Sequence, residues 1–229
     1  MLFFHPFDKE NTFTLSEEES RHCIKALRYQ KGDVIAITNG MGESAEAIIT
    51  NDNIKACEVK ITERKKVEAK RFLHVAIAPT KNADRIEWLV EKASELGVEK
   101  ISLIQTERTE RNFIKKERLD KIAISAIKQS HQFYVPEIVV GKKFEDILVE
   151  ETDIKLIAFV DRNNPVQFKE KLLSNQKILI LIGPEGDFTA EEVALAEQHH
   201  FTKVSLGNNI LRTETAGLLA CCAVYTING

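Results

Sequence analysis

Two stretches in the last third of the chain combine residue types that bind and activate ligands. The first is Ile182-Gly183-Pro184-Glu185-Gly186-Asp187-Phe188. It follows the most apolar run in the sequence, Lys177 to Ile182, and precedes Thr189-Ala190-Glu191-Glu192, a helix-opening capping box. Glycine on both sides of Pro184-Glu185 lets the main chain approach a ligand closely and frees its N–H groups, while proline stiffens the turn. The spacing is neither a P-loop nor a dinucleotide fingerprint, and the P-loop lysine is missing. The same residues equally make a plain strand-to-helix turn.

The second stretch is Leu206-Gly207-Asn208-Asn209-Ile210-Leu211-Arg212-Thr213-Glu214-Thr215-Ala216. Ile210 and Leu211 interrupt a polar loop and suit one wall of a pocket. Arg212 and Glu214 stand at the start of the final helix. A carboxylate is favourable there; a guanidinium is not, because a helix N-terminus is already electropositive. An arginine so placed points to an anion that it holds. The plainer alternative is an Arg212–Glu214 surface pair, which would contribute little.

Both stretches need a scaffold that presents loops side by side. From Arg71 onward the pattern alternates strands and helices. Phe72 to Ala78, Ile101 to Gln105, Ile154 to Val160, Lys177 to Ile182 and Lys203 to Leu206 read as strands. Asp84 to Leu96 reads as a helix with Ile86, Leu89, Val90, Ala93 and Leu96 inward, an Asp84–Glu87 capping pair and Gly97 as its stop. Further helices are Leu119 to Gln129, Thr189 to about His200, and a last one with Ala216, Leu219, Ala220, Ala223 and Val224 on one face. This alternation predicts an α/β domain with a parallel sheet covered on both faces, whose ligands bind beyond the carboxyl ends of the strands.

Residues 1 to 70 read differently. Ser16 to Glu19 is a capping box opening a short helix to about Leu27, and Gly32-Asp33 turns the chain. Val34 to Thr38, Ser44 to Thr50 and Ile54 to Lys60 read as strands, with an Asn39-Gly40 hairpin turn and an Asn51-Asp52-Asn53 turn between them. Short strands with tight turns predict a small barrel. The charged stretch Glu63 to Lys70 places the boundary, giving domains 1–70 and 71–229.

Composition narrows the function classes. Hydrophobic residues make up 43% and charged residues 29%, as in an ordinary globular protein. The four cysteines, Cys23, Cys57, Cys221 and Cys222, form no CxxC pair, and the six histidines form no HExxH. No metal site is expected, and thiols of this kind suit a reducing cytoplasm. The N-terminus is apolar but short and lacks the basic region of a signal peptide. No apolar run approaches the roughly 18 residues of a membrane span. A net charge of −3 argues against nucleic-acid binding by bulk charge but leaves room for local patches. Arg108, Arg111, Lys115, Lys116, Arg118, Lys121 and Lys128 form one cluster, interleaved with acids as a solvated helix face would be; Arg21, His22 and Arg28 form another.

Taken together, Ile182 to Gly186, Leu206-Gly207 and Ile210 to Ala216 resemble the signature of the bacterial 16S ribosomal RNA (uracil-N3)-methyltransferases, a family of the SPOUT class. The resemblance extends over essentially the whole chain: Lys81, Asp84-Arg85, Glu91 to Val98, Glu107-Arg108, Arg118, Ala126 to Ser130 and Val135-Pro136, with His22, Leu27-Arg28 and Gly32-Asp33 near the N-terminus. The chain departs from the pattern at His131-Gln132, where Gly-Arg is usual, at Asp187, where a second glycine is common, and at Asn39, where aspartate is frequent.

The resemblance implies a PUA-like β-barrel followed by a SPOUT α/β domain tied in a trefoil knot, working as a homodimer with the apolar last helix available to the interface. It implies S-adenosylmethionine as cofactor, held by Phe159 and Val160, by Ile182, Gly183, Pro184, Glu185 and Gly186, and by Leu206, Gly207, Ile210, Leu211 and Thr213. It implies methyl transfer to N3 of a uridine in the decoding region of the small ribosomal subunit's 16S rRNA, with the base unpaired or extruded. Arg212 would stabilise charge on the base, and Glu214 would orient Arg212 or take the proton. Arg21, His22, Arg28, Lys81, Arg108, Arg111, Lys128 and Gln129 would contact RNA. Competing readings are a non-catalytic RNA chaperone, a small-molecule enzyme using the Gly183 loop for an anion, and the same class acting on another base.

Overall fold

The computed structural model of the 229-residue chain describes residues 1–68, 72–110, 114–161 and 166–228. The chain divides into two compact units, Met1–Ala69 with Ile124–Val135, and Lys70–Ala123 with Pro136–Gly229.

The first unit is a mixed sheet of β1 (Leu2–Phe4), β2 (Thr12–Thr14), β3 (Val34–Thr38), β4 (Glu43–Asn51) and β5 (Glu58–Lys66) in the order β1-β3-β4-β5-β2. Only β1 and β3 run parallel. Alternation builds its core: Ile35 and Ile37 of β3 and Ala45, Ala47 and Ile49 of β4 point inward with Phe3, Phe7, Leu15, Cys23, Cys57, Val59 and Ile61.

Four expectations change here. The third strand starts at Glu58, not Ile54, and continues through the charged Glu63 to Lys66, because it needs inward residues only at alternate positions near its start. The hairpin is not a two-residue turn. Asn39 Oδ1 accepts from the N–H groups of Met41 (2.9 Å) and Glu43 (3.1 Å), and the positive φ falls on Gly40 and Gly42. Only half of the Ser16 capping box forms. Ser16 accepts from Glu19 N–H (3.2 Å), but the buried Glu19 carboxylate pairs with Lys128 instead of returning to the cap. The helix it opens, α1 (Glu17–Arg21), passes into a π-helical turn, His22–Ala26, and Arg28 follows with φ 61°. Residues 133–135 close on the hairpin: Gly42 N–H donates to Phe133 C=O (2.9 Å) and Val135 N–H to Gly40 C=O (2.8 Å).

The second unit carries an all-parallel six-stranded sheet, with order β11-β9-β10-β6-β7-β8. Its strands are β6 (Leu73–Ile77), β7 (Lys100–Gln105), β8 (Glu137–Lys143), β9 (Ile154–Ala158), β10 (Ile178–Ile182) and β11 (Thr202–Val204). Its helices are α2 (Ala83–Glu95), α4 (Phe144–Leu148), α5 (Ala190–Gln198) and α6 (Thr213–Asn228); α3 (Lys116–Ser130) runs through both units. All five residues of β10 are buried, as a strand covered on both faces requires. On one face Leu179, Leu181, Ala76 and Ile104 meet Phe144, Ile147, Val193, Ala196 and Phe201 from α4, α5 and the residues after them. On the other, α6 packs so closely that a Cβ on Gly217 would lie 3.0 Å from Leu89 and 3.2 Å from Ile77.

The sequence pattern misses β8, an edge strand kinked by a bulge: Leu103 pairs with Val140 and Ile104 with Lys142, leaving Gly141 out at φ 75°. α2 is capped by Asn82, whose side chain accepts from Asp84 N–H (3.0 Å), while Glu87 goes to Arg118. On α6 the inward face is Ala216, Gly217, Ala220, Cys221 and Val224, and Leu219 points outward. Among the described residues, no helix is long and apolar enough to cross a membrane, and no group of three or more His, Cys, Asp or Glu could hold a metal ion.

His74 on β6 is nearly buried among charges. Its Nδ1–H faces Glu150 Oε2 at 3.1 Å, its Nε2 accepts from Ser102 Oγ at 2.8 Å, and Glu150 is shared with Lys100 and Lys142. Burial pushes the imidazole pKa down to about 4, with the two lysines assisting and Glu150 opposing. A base held neutral when folded gains protons on unfolding below pH 6.5, so stability falls as pH drops from 6.5 toward 4, by roughly 3 kcal/mol in full. His74→Gln, which offers the same donor and acceptor without titrating, is expected to flatten the decline in thermal midpoint between pH 7 and pH 5. Equal slopes in the two proteins would refute this.

Candidate functional site

The register of the parallel sheet aligns strand ends in one row. Val204 pairs with Ala158, Ala158 with Ile182, Ile182 with Ile77, and Ile77 with Leu103. The loops that follow β11, β9, β10 and β6 therefore leave the sheet at one level, beside one another, while β7 runs on to Gln105 before its loop begins. Three of them hold the cofactor-binding candidates: Phe159 and Val160, Gly183 to Gly186, and Leu206 to Thr213.

The loop after β10 is the most heavily braced. Asp187 N–H donates to Pro184 C=O (3.0 Å), closing a turn that ends with Asp187 in the left-handed region at φ 58°. Asp187 Oδ1 accepts from its neighbour Phe188 N–H (2.8 Å), and Oδ2 crosses to the next loop to accept from Val160 N–H (3.0 Å). Burial raises the Asp187 pKa, opposed by those two bonds and by Arg108. Arg108, from the loop after β7, donates from Nη1 to Gly186 C=O (2.6 Å) and, at 3.5 Å, to Phe188 C=O. Its stem lies against Gly186, where a Cβ would stand 3.3 Å from Arg108 Cδ. Glu185 Oε1 accepts from Lys81 N–H (3.1 Å) in the loop after β6.

Buried Glu192 makes a further cross-link. It completes the Thr189 capping box through Oε2, which accepts from Thr189 N–H (2.9 Å), and reaches the loop after β7 through Oε1, which accepts from Glu107 N–H (2.8 Å). On the far side, Phe159 N–H donates to Val204 C=O (3.2 Å), and Lys203 pairs with Asp161 at 3.0 Å while lying over the Phe159 ring.

The loop after β11 is the open one. Gly207 has φ 136° with open space where a Cβ would stand, Ser205 Oγ donates to its C=O (3.0 Å), and Ile210 is 81% exposed. Leu211 is half-buried and Arg212 is exposed, while Thr213 and Glu214 are buried at the start of α6. The Arg212–Glu214 pair weighed from the sequence does not form. Glu214 Oε1 lies 3.7 Å from Arg85 Nε of α2, its Oε2 is buried without a hydrogen-bond partner, and Arg212 has no ion-pair partner among the described residues.

The RNA-contact candidates fare unevenly. Arg28 is exposed. Arg21 pairs with Glu17 at 2.6 Å, Lys81 with Glu110 at 2.9 Å, and half-buried Lys128 with buried Glu19. His22 is half-buried and Gln129 exposed; Arg111 lies outside the described residues. Reading the sequence passed over Arg85, Asp187 and Glu192 as site residues. Asp187 carried a usable signal: aspartate after glycine in a turn tolerates positive φ.

The chain matches two family models, an RNA methyltransferase PUA domain over residues 15–62 and an RNA methyltransferase domain over residues 67–225. It is 32% identical over 215 residues to ribosomal RNA small subunit methyltransferase E of Rickettsia conorii, covering 92% of this chain and 88% of that one. Among solved structures it resembles a "probable rRNA-methyltransferase" from Porphyromonas gingivalis, with TM-score 0.92, 39% identity, and 99% and 98% of the two chains covered. It also resembles a ribosomal RNA small subunit methyltransferase E from Neisseria gonorrhoeae bound to S-adenosyl methionine, with TM-score 0.86, 27% identity, and 99% and 97% covered.

Glu192→Gln tests the cross-link. An amide has one acceptor oxygen, so one of the two N–H donors, Thr189 or Glu107, is left facing an NH2 group. The expected cost is about 1–3 kcal/mol in chemical denaturation; a variant as stable as the parent would show that the carboxylate braces nothing.

Proposed function

The chain belongs to the RNA methyltransferase family, and on that premise we propose that it methylates N3 of a uridine in the decoding region of 16S rRNA. S-adenosylmethionine is the methyl donor, the assembled small subunit is the substrate, and the enzyme works in the cytoplasm as a homodimer. The observation that carries this reading is Arg212, an exposed guanidinium beside the row of strand-end loops, at a helix start where its charge gains nothing locally.

The residues present suit the cofactor. Val160 (58% exposed) and Ile210 (81%) offer apolar surface on two of these loops for a purine, and Gly207 leaves open space for a close approach. Bound there, S-adenosylmethionine supplies an electrophilic methyl group on a sulfonium. The main chain of the Gly183 to Gly186 loop and residues Leu206, Gly207, Leu211 and Thr213 would hold it.

The nucleophile is the uracil N3. Its imide proton must leave before or as the N–C bond forms. The negative charge of the deprotonated base spreads onto O2 and O4 until it is neutralised by the arriving methyl group, whose bond to the sulfonium would break with the electron pair staying on sulfur. Arg212 supplies the cation that stabilises this charge. Glu214 stands two residues on, paired with Arg85 rather than Arg212, so its role would be that of proton acceptor. For RNA, exposed Arg28 after the π-helical turn is the best placed candidate of the first unit, since π-turns and left-handed residues concentrate at functional sites. α6 turns Leu219, Cys222 and Tyr225 outward, an apolar stripe suited to a second copy of the chain.

The test uses purified protein, labelled S-adenosylmethionine and small subunits lacking the modification, with nucleoside mass spectrometry of the digested rRNA. N3-methyluridine is expected, and Arg212→Ala should lower the rate by about 100-fold or more. Label in another nucleoside would overturn the uridine assignment. Arg28→Ala should weaken RNA binding and reduce its salt slope by about one; an unchanged slope would remove Arg28 from the interface.

A further inference from the structure

We propose that Asp187 is a positioning residue for the cofactor, the brace that sets the spacing between the loop after β9 and the loop after β10. The inference rests on the proposed reading that these loops hold S-adenosylmethionine.

Three observations support it. The first is backbone strain. Asp187 sits at φ 58°, where a side chain costs about 1 kcal/mol relative to glycine. Glycine would relieve that cost, so the side chain must return something. The second is what it returns. Its two oxygens accept one N–H each: Phe188 within the same turn at 2.8 Å, and Val160 on the neighbouring loop at 3.0 Å. Among the hydrogen bonds of the described residues, the Val160 bond ties the start of the loop after β9 directly to the β10 turn. Both acceptors carry charge when the carboxylate is ionised, which makes such bonds roughly twice as strong as neutral ones.

The third is that the turn is gripped from its other side. Arg108 Nη1 donates to the carbonyls on either side of Asp187, those of Gly186 and Phe188, and its stem covers Gly186. The guanidinium holds the carbonyls of Gly186 and Phe188 while the carboxylate holds the amides of Phe188 and Val160. The turn is thereby fixed in one conformation, and Val160, an exposed apolar residue on the proposed cofactor surface, is fixed with it. Asp187 itself need not touch the ligand. It acts through the Val160 main chain, by removing conformations that a bound molecule would otherwise have to select against.

Asp187→Gly separates this role from folding. It removes the brace and also removes the strain, so the thermal midpoint is expected to move by no more than a few degrees. The dissociation constant for S-adenosylmethionine, measured by calorimetry on the full chain, should rise about tenfold, with KM for the cofactor rising in parallel and RNA affinity unchanged. Asp187→Asn keeps one acceptor and tolerates positive φ, so it should fall between the two. Cofactor affinity in Asp187→Gly equal to the parent's would overturn the inference while leaving the function intact. Loss of affinity matched by a collapse of the thermal midpoint in both variants would overturn it as well, reducing Asp187 to a structural residue. Failure of the unsubstituted protein to bind S-adenosylmethionine would instead bring down the reading beneath it.

Discussion

The site depends on one constraint: the in-phase register of parallel strands in the second unit. Val204, Ala158, Ile182, Ile77 and Leu103 lie in a single hydrogen-bonded row. Parallel strands all carry their carboxyl ends to the same edge, so the loops after β11, β9, β10 and β6 start at the same height, and the loop after β7 begins two residues beyond it. A shift of one residue in any strand would move its loop by about 3.3 Å and turn its side chains to the other face. The apolar load on the strands forbids that shift. β10 is buried on both faces, and Gly217 of α6 is seated so that a Cβ would lie 3.0 Å from Leu89 and 3.2 Å from Ile77, tighter than an ordinary contact. Packing thus sets the register, and register sets the site.

Above that row the loops are joined by polar contacts rather than apolar ones. Asp187 and Glu185 reach from the loop after β10 to the loops after its sheet neighbours β9 and β6, while Glu192 and Arg108 span between the β10 side and the loop after β7, and each bonds main-chain groups. Side chains that bond backbone groups hold a loop's path whatever the flanking residues are. They also satisfy N–H groups that short, tight turns cannot pair internally. Glu214 is the exception. One carboxylate oxygen is buried without a partner while the other lies near Arg85. An unsatisfied buried acceptor costs about 1–3 kcal/mol, and such costs collect where function requires a group to be held ready.

The sequence reveals the elements with a strong period and hides those shaped by exceptions. β10, α2, the Thr189 capping box and the alternation of β3 were all readable, because apolar spacing and cap chemistry act locally. β8 was not, since it is an edge strand with few inward residues and a bulge at Gly141. Glu19 was misread as the second half of a cap because its real partner, Lys128, is far away in the chain. The same applies to Glu87, which looks like a cap to Asp84 and serves Arg118. Two departures from the glycine pattern, His131 and Asp187, both occupy positive φ, at 57° and 58°. There the backbone kept the conformation that glycine would favour while the residue type changed.

Charge pairing further limits the cationic surface that a chain of net charge −3 presents. Much of its basic character is already engaged inside the protein: Arg21 with Glu17, Lys116 with Asp120, Arg118 with Glu87, Lys128 with Glu19, and Arg108 with main-chain carbonyls. Counting lysines and arginines along the sequence therefore overstates the cationic surface. On the proposed function, phosphate contacts would rest on a few positioned groups such as Arg28, and the salt slope, about 0.9 per neutralised phosphate, would be correspondingly shallow. A protein that binds weakly through bulk charge has little tendency to hold arbitrary RNA. On the proposed function, discrimination would then come from the shape of the substrate and from which base can reach the row of loops, where Glu192, Asp187, Arg108 and Glu185 tie one loop to another.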